Sequence, residues 1–473
     1  MRGVPEDLIR LSACDAVALL RAGETTPSQL VEAALARIGE TDGALHAIPT
    51  RCADRARTHA RRIEAGEAPA GPLGGLPIAV KDLNDVAGVR TTYGSPIYAD
   101  HVPARSDLLV ERLEANGAIV VGKSNTPEFG AGANTFNEVF PATRNPWDTA
   151  LTPGGSSGGS AAALAAGQVW LATGSDLAGS LRTPASFCGV VGLRPGPGRV
   201  ASGPNELPFD TLGVEGPMGR TVTDVALMLD ALAGADPRDP LSLDAPARPF
   251  LEAAQEARPP REVAFTPDLG GITPVDPEVA AICAAAAERF TEAGAELRHA
   301  SPDLAGAPET FQVLRAASFV ASLGPLYGSD RDRLKPDIRW NVERGLALTP
   351  SEVAQAERDR GRIAQAMMAF LHDVEVLACP AAAVPAFPVE QRWIEQLGGE
   401  RFDNYVEWLR ITSAITLTAC PAIVVPCGLT SAGLPVGLQL VGRPRGESAL
   451  LSAAAAFEAM AGMAALVPRD PAP

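Results

Sequence analysis

Short apolar runs bounded by Gly or Pro constrain the fold of this chain more than any other feature of its sequence. The runs are LPIAV (76–80), AIVV (118–121), VAF (263–265), VEVLA (374–378), AIVV (422–425) and VGLQLV (436–441). Runs with few or no alternating polar positions are typical of strands that are buried on both faces of a sheet. Such strands need helices above and below them, so we expect an α/β protein.

Helix signals stand between these runs. Thr26-Pro27-Ser28-Gln29 combines a capping residue, Pro at the first helical position and Gln three residues after the cap. Thr349-Pro350-Ser351-Glu352 repeats this pattern before a helix that is predicted to end near Leu371. Asp276-Pro277 begins another helix, which Gly294 ends. The alternation predicts a large central sheet, mostly parallel or mixed, with helices covering both of its faces.

Gly and Pro are spread along the chain rather than concentrated in one linker. The sequence therefore indicates no domain boundary, and residues 1–473 are predicted to form a single domain. Residues 300–350 include several aromatic side chains and no clear strand. We expect this segment to cover a functional site.

The composition excludes several classes of protein. Hydrophobic residues make up 46% and charged residues 20%, which is ordinary for a globular protein with a core. A formal net charge of −16 with no basic cluster argues against binding to nucleic acid. The 7 cysteines form no C-x-x-C pair, so we expect buried thiols in a reducing compartment. No apolar stretch suggests a signal peptide or a membrane span, which predicts a cytoplasmic protein without a membrane partner.

The segment GAIVVGKS (117–124) matches the phosphate-loop pattern G-x-x-x-x-G-K-S/T. A phosphate loop needs a flexible segment between its glycines and a helix after it. Here a β-branched run lies between the glycines, and Asn125-Thr126-Pro127 follows. We therefore predict a strand that ends in a turn, with Lys123 in solvent and no bound nucleotide.

The segment GGSSGG (154–159) matches the nucleophile-elbow pattern G-x-S-x-G twice, centred on Ser156 and on Ser157. An elbow needs a buried strand directly before it and a catalytic His later in the chain. The preceding residues are loop-like, and neither His299 nor His372 stands in a catalytic motif. This argues against a Ser-His-Asp triad.

A second stretch rich in Gly and Ser, TGSDLAGSLRTPASFCGVVGLRP (173–195), follows the first, and Lys81 ends the run LPIAV. GPMGRTVTDVALMLD (216–230) and TACPAIVVPCGLTSAGLPVGLQLVG (418–442) lie further along. Together these segments resemble the amidase signature family of serine hydrolases over most of the chain. The resemblance implies an amidase-signature fold with a central mixed sheet, hydrolysis of an amide C–N bond, and no metal or organic cofactor.

The resemblance also assigns roles residue by residue. Ser180 matches the nucleophile, Ser156 the bridging serine that follows a cis peptide bond, and Lys81 the base. The oxyanion hole is expected to consist of successive backbone N–H groups, those of Leu177, Ala178, Gly179 and Ser180. Ala178 stands where the family commonly has Gly, so a positive φ at this position would disturb the hole.

Further residues are expected around the substrate. Gly130, Ala131 and Gly132 match a family segment that lines the acyl side of the pocket. Arg199, Trp340 and Phe387 are additional pocket candidates. Asp176 and Arg182 flank Ser180 and are predicted to hold its loop through hydrogen bonds and an ion pair.

The chemistry of these residues supports the assignment independently of the family. A lysine can remove the proton of a serine hydroxyl only while the lysine is neutral. Lys81 follows an apolar strand, and burial lowers the pKa of a lysine. Asp82 is expected to point to the opposite side, where it does not hold Lys81 in the charged form.

The sequence thus predicts a serine hydrolase that cleaves small amides, aryl amides in particular, or carbamates through an acyl-enzyme on Ser180. A small molecule is the expected partner, and the protein is expected to be a monomer or homodimer. Two alternatives stay open. The chain can be the glutamine-hydrolysing subunit of a tRNA-dependent amidotransferase, or an inactive family member, for which Ala178 is the only sign.

Overall fold

Eleven strands form one mixed sheet in the computed structural model, which describes residues 8–204 and 206–472. All six apolar runs become strands of this sheet, with ends shifted by a few residues at most. The strands are β1 (Thr50–Arg51), β2 (Pro77–Lys81), β3 (Ile119–Ser124), β4 (Leu171–Asp176), β5 (Val191–Arg194), β6 (Val214–Gly219), β7 (Glu262–Phe265), β8 (Glu296–His299), β9 (Val376–Pro380), β10 (Gln396–Leu397), β11 (Glu400–Arg401), β12 (Ala422–Leu429) and β13 (Pro435–Val441). The short strands β10 and β11 pair only with each other and are not part of the eleven-stranded sheet.

The sheet runs in the order β1-β3-β2-β4-β6-β5-β12-β13-β9-β7-β8. Its two ends contain parallel pairs, β2 with β3 and β4, and β7 with β8 and β9. The middle, from β4 through β6, β5, β12 and β13 to β9, is antiparallel. The mixed sheet predicted from the sequence is confirmed.

Helices fill the chain between the strands. They are α1 (Ala13–Ala22), α2 (Pro27–Leu45), α3 (Ala53–Glu64), α4 (Leu108–Ala115), α5 (Gly158–Ala165), α6 (Arg182–Cys188), α7 (Val222–Leu232), α8 (Phe250–Glu256), α9 (Pro277–Glu292), α10 (Ala307–Asp330), α11 (Pro336–Ala347), α12 (Pro350–Asp373), α13 (Arg410–Thr416) and α14 (Glu447–Ala461). Thr26 and Thr349 form the predicted capping boxes, and Asp276 caps α9. None of the helices in the described ranges is long and apolar enough to cross a membrane.

Successive residues of the central strands pack against different helix layers. Ile78 and Val80 of β2 join a core cluster with α4, α7 and α14. Ala79, between them, joins a second cluster with α3 and α5. Because side chains alternate along a strand, the two clusters lie on opposite faces of the sheet. Helices cover both faces of the sheet, as predicted.

The strands β4, β5 and β6 were not predicted, because Gly, Ser and Pro interrupt their apolar pattern. Their glycines lie where other residues approach closely. A Cβ on Gly192 would lie 2.4 Å from the carbonyl oxygen of Leu181, and one on Gly216 would lie 2.4 Å from that of Leu193. Gly192 therefore leaves room for the segment that follows Ser180, and Gly216 leaves room for the backbone of β5.

Residues 300–350 form mainly the helices α10 and α11. Four residues of α10 line the cavity described below. The single-domain organisation of residues 1–473 stays a prediction, and residues 1–7, 205 and 473 lie outside the described residues.

Candidate active site

Lys81 ends β2 on the face where α5 packs, two residues after Ala79. Its side chain is fully buried. The Nζ atom lies 2.7 Å from Ser156 Oγ, 2.9 Å from Ser157 Oγ and 2.9 Å from Ser175 Oγ. A neutral amine has two hydrogens and one lone pair, so one of three such hydroxyls can donate its hydrogen to Nζ. The arrangement suits a lysine that accepts a proton from serine.

Two carboxylates influence the charge of Lys81. Burial lowers the pKa of Lys81, while the negative charges of Glu215 and Asp176 act in the opposite direction. Burial raises the pKa of Glu215, and the charge of Lys81 opposes that shift. Glu215 lies directly across from Ser175 in the β4–β6 pair, and Ser175 Oγ contacts Lys81 Nζ, so the charge of Glu215 acts on Lys81 at short range.

Asp82 points away from Lys81, as predicted, and binds a second buried lysine. Lys123 Nζ lies 3.0 Å from Asp82 Oδ1 and donates to Thr91 Oγ1 at 2.7 Å. The prediction that Lys123 lies in solvent was wrong, because β3 continues through Lys123 and carries its side chain into the interior. The burial is tolerated since Asp82 supplies the compensating charge.

Ser180 lies in the turn between β4 and α6, close to the loop that carries Ser156. The N–H of Ser157 donates to the carbonyl oxygen of Ser180 at 3.2 Å, which joins the two segments. The Gly155–Ser156 peptide bond is cis. Ser180 and Ser156 line one cavity, but their hydroxyls form no hydrogen bond with each other within the described residues. The structure thus brings the three predicted catalytic residues to a single place.

The side chain of Asp176 holds the turn that carries Ser180. Its Oδ1 accepts from Arg182 Nη2 at 2.8 Å and its Oδ2 accepts from Arg182 Nε at 2.9 Å, while Arg194 Nη1 lies 3.3 Å from Oδ1. Burial raises the pKa of Asp176, but the positive charges of Arg182 and Arg194 outweigh it and hold this pKa well below its usual range. The backbone N–H of Leu181 also donates to Asp176. The predicted structural role of Asp176 and Arg182 agrees with this geometry.

The structure disagrees with one predicted donor of the oxyanion hole, the N–H of Gly179. The N–H of Gly179 donates to Asp176 Oδ1 at 2.9 Å, so this group is engaged in holding the turn and is not a free donor. The positive φ of the turn, 116°, also falls on Gly179 and not on Ala178. A methyl group at position 178 therefore causes no backbone strain. Leu177, Ala178 and Ser180 keep their place beside the cavity.

A cavity of about 300 Å³ opens above these residues. Its lining combines apolar and polar side chains with the predicted serines: Leu83, Phe129, Gly130, Gly132, Ser156, Ser175, Asp176, Leu177, Ala178, Ser180, Ser202, Leu207, Asp210, Gly213, Val214, Glu215, Arg315, Ser318, Phe319, Ser322, Tyr405 and Leu409. Gly130 packs so close that a Cβ there would lie 3.4 Å from Ser156 Oγ.

Several predicted pocket residues lie elsewhere. Arg199 is not part of the lining, because its guanidinium pairs with Glu447 Oε2 at 3.3 Å. Ala131 is buried behind the wall and accepts a hydrogen bond from Lys335 through its carbonyl oxygen. Trp340 packs on Tyr405, outside the lining. Phe387, also outside it, packs in the apolar core.

Known proteins resemble the chain over nearly its full length. The model of the amidase family matches residues 29–451. The chain belongs to the amidase signature family. An acylamidase from Rhodococcus erythropolis is 36% identical over 98% of both chains. A glutamyl-tRNA(Gln) amidotransferase subunit from Synechococcus sp. (strain CC9605) is 36% identical over 95% of this chain and 97% of its own.

A solved structure supports the same conclusion. The crystal structure of a bacterial aryl acylamidase of the amidase signature family superposes with a TM-score of 0.90 at 27% identity, covering 98% of this chain and 99% of that one. The predicted family and amidase-signature fold are confirmed, and this amidase is an amide-hydrolysing enzyme.

Sequence reasoning missed Ser175 and Glu215 of this amidase. Both lie on strands that were not predicted, so the alternation that turns Thr173 and Ser175 toward one face was not visible. Ser175 lies within the stretch 173–195 that supported the resemblance, and Glu215 directly precedes the segment 216–230. A period-two reading of these motifs as strands would have found both residues.

The two histidines that a Ser-His-Asp triad would need stand apart from the cavity. His299 is mostly exposed at the end of β8, with Nε2 3.7 Å from Glu288 Oε1. His372 is exposed near the end of α12. Neither residue lines the cavity of Ser180. Within residues 8–204 and 206–472, no group of three or more His, Cys, Asp or Glu side chains is arranged to hold a metal ion.

Proposed function

We propose that this amidase hydrolyses small aryl amides, and more slowly carbamates, through an acyl-enzyme on Ser180. The observation that carries the proposal is the buried Lys81 with Ser156 Oγ at 2.7 Å, beside a cavity that Ser180 also lines. The protein is proposed to act in the cytoplasm as a monomer or homodimer, without a metal or organic cofactor.

In the proposed acylation step, neutral Lys81 accepts the proton of Ser156, and Ser156 accepts that of Ser180. Ser180 Oγ forms a bond to the carbonyl carbon of the substrate, and the carbonyl oxygen becomes an oxyanion. Backbone N–H groups beside the cavity, at Leu177, Ala178 and Ser180, are the proposed donors to this oxyanion. Each such donor contributes roughly 3 kcal/mol to stabilising a transition state.

The C–N bond then breaks. The proton held by Lys81 passes back through Ser156 to the leaving nitrogen, and the amine departs. Water attacks the ester on Ser180 with the same residues as the base, and the carboxylic acid leaves. The proton of Ser180 thus leaves on the amine, and the proton taken from water returns through Lys81 and Ser156 to Ser180 Oγ, which regenerates the enzyme.

The apolar part of the lining favours an aryl group in the substrate. Leu83, Phe129, Leu177, Phe319 and Leu409 all face the cavity. An aromatic ring loses little on leaving water, and an aryl amine departs more readily than an alkyl amine. The lining also contains charged residues, among them Asp210, Glu215 and Arg315. Carbamates carry a less electrophilic carbonyl, which predicts slower acylation of the same serine.

The nucleophile is tested by labelling. Treatment with a fluorophosphonate, followed by peptide mapping, should place the adduct on Ser180. The matched variant Ser180→Ala should lose both the label and turnover. A label on Ser156 or Ser157 in the wild-type enzyme would refute the assignment, and the absence of any label and any turnover would favour the inactive family member.

The substrate class is tested by comparing kcat/KM for a p-nitroanilide, an N-aryl carbamate and glutamine on the isolated chain. We expect the p-nitroanilide to be the best substrate and the carbamate the second. The amidotransferase alternative predicts the opposite order, with glutamine preferred and turnover dependent on a partner chain.

A further inference from the structure

Arg315 lies in the wall of the catalytic cavity and is only 4% exposed. It belongs to α10, whose Ser318, Phe319 and Ser322 line the same cavity. Positions three, four and seven residues apart share one side of a helix, so one face of α10 forms this wall. Arg315 therefore places a cation beside the space that holds the substrate.

The guanidinium of Arg315 pairs with no carboxylate in the described ranges. Its Nη2 donates to the hydroxyl of Tyr405 at 2.6 Å and its Nη1 to Asn341 Oδ1 at 3.3 Å. The ring of Phe319 lies 4.1 Å from its Cζ. Its Nε has no hydrogen-bond partner within the described residues. Lys123 and Arg182, which are fully buried, each bind an aspartate.

Tyr405 provides a free donor beside Arg315 at this wall. Its oxygen accepts from Arg315 and, at 2.6 Å, from Asn341 Nδ2. Both lone pairs are thus occupied, and the hydroxyl hydrogen is left for an acceptor. Burial raises the pKa of Tyr405, so the group stays protonated at neutral pH.

The carboxylates nearest to Arg315 are engaged with other groups. Asp337, whose negative charge acts on Arg315, pairs with Lys335 Nζ at 3.5 Å, and Glu215 lies close to Lys81. Asp176 is neutralised by Arg182 and Arg194. Asp210 accepts hydrogen bonds from the backbone N–H of Leu212 and the hydroxyl of Ser318. A buried cation that contacts no carboxylate is costly, and an anion that binds to it lowers that cost.

We propose that the substrate of this cavity carries a carboxylate, which binds Arg315 and the hydroxyl of Tyr405. Guanidinium groups bind planar carboxylates in a forked geometry, and charge-assisted hydrogen bonds are the strongest of their kind. The inference rests on the proposed amide hydrolysis and names its substrate class: aryl amides that bear an acidic group on either the acyl or the amine side.

The test compares acids with their own methyl esters. Glutaryl p-nitroanilide places the carboxylate on the acyl side, and 4-acetamidobenzoate places it on the amine side. For at least one pair, kcat/KM of the acid should exceed that of the ester by about tenfold or more. In Arg315→Met the ratio of acid to ester should fall to about one, whereas Arg315→Lys should keep part of the preference. The matched control Arg331→Met removes an exposed arginine outside the cavity and should keep the wild-type ratio.

The outcomes separate this inference from the proposed function. Turnover of both esters at least as fast as of their acids in the wild-type enzyme would overturn the role of Arg315 and leave the amidase proposal standing. An undiminished ratio in a folded Arg315→Met variant would do the same. If neither pair is cleaved, the aryl-amide proposal fails. Whether the cavity binds a carboxylate is then tested by the rate at which a fluorophosphonate labels Ser180. Benzoate should slow this labelling, and benzamide should not.

Discussion

Replacing Glu215 by Gln should make the enzyme more active in acid. The carboxylate of Glu215 stabilises the ammonium form of Lys81 and thereby raises the pKa of this lysine. Gln removes the charge and keeps nearly the same shape. The pKa of Lys81 then falls further below its ordinary value of 10.5, and the neutral, proton-accepting form persists at lower pH.

The expected fall in the pKa of Lys81 follows from the distance between its ammonium group and the carboxylate of Glu215. Ser175 and Glu215 are directly paired across β4 and β6, which places their Cβ atoms about 5 Å apart. Ser175 Oγ lies 2.9 Å from Lys81 Nζ, so the two charges are about 7 Å apart when the side chains extend toward each other. At an effective dielectric constant of about 20 this corresponds to about 2 kcal/mol, or between one and two pKa units.

The assay is the pH profile of kcat/KM with a neutral p-nitroanilide. The acidic limb of the Glu215→Gln variant should lie about one pH unit or more below that of the wild type. The exposed Glu357→Gln is the matched control and should leave the limb unchanged. An acidic limb displaced to higher pH, or activity lost at every pH in a folded variant, would show that Glu215 itself carries the proton. Either result would refute the reasoning.

Three other predictions concern the base, the network below Ser180 and the packing of the site. Lys81→Ala should lower kcat on a p-nitroanilide by at least about 10²-fold because the base is lost, while His299→Ala should retain nearly full activity. Asp176→Asn should lower the free energy of unfolding, measured in urea, by about 3–5 kcal/mol because it leaves two buried arginines without their counter-ion. A measured loss below about 1 kcal/mol would contradict that role. Gly174→Ala should cost about 1–3 kcal/mol and reduce kcat, since its Cβ would lie 2.8 Å from Ser157 Oγ, whereas Gly39→Ala, which meets nothing within 4 Å, should be tolerated.

The sequence predicted the fold well where local signals were strong. Every apolar run became a strand, and the capping boxes at Thr26 and Thr349 stand where they were expected. The strands beside Ser180 escaped detection because packing against the turn, rather than strand propensity, selects their residues. Gly192 and Gly216 are there to admit a neighbouring backbone, and a single sequence carries no sign of what approaches.

The sequence predicted those residues of the site that belong to recognisable motifs. Lys81 and the serines belong to segments with a recognisable pattern, and the structure brings them together. Arg315 and Tyr405 belong to no such segment and are far apart in the chain, so only the tertiary fold shows that they meet. The wrong prediction that Lys123 lies in solvent has a related reason. Its burial depends on Asp82, which follows the end of a different strand, β2.

The bonds of Arg182 also bear on when the enzyme becomes active during its own synthesis. Its guanidinium donates to the carbonyl oxygen of Thr412 at 2.9 Å and to Gln439 Oε1 at 2.7 Å, more than two hundred residues further along the chain. A nascent chain that ends before these residues lacks two of the groups that orient Arg182, which in turn binds Asp176 beside the proposed nucleophile Ser180. Domains fold as units when their long-range contacts can form. Catalytic competence should therefore arise only after translation is nearly complete.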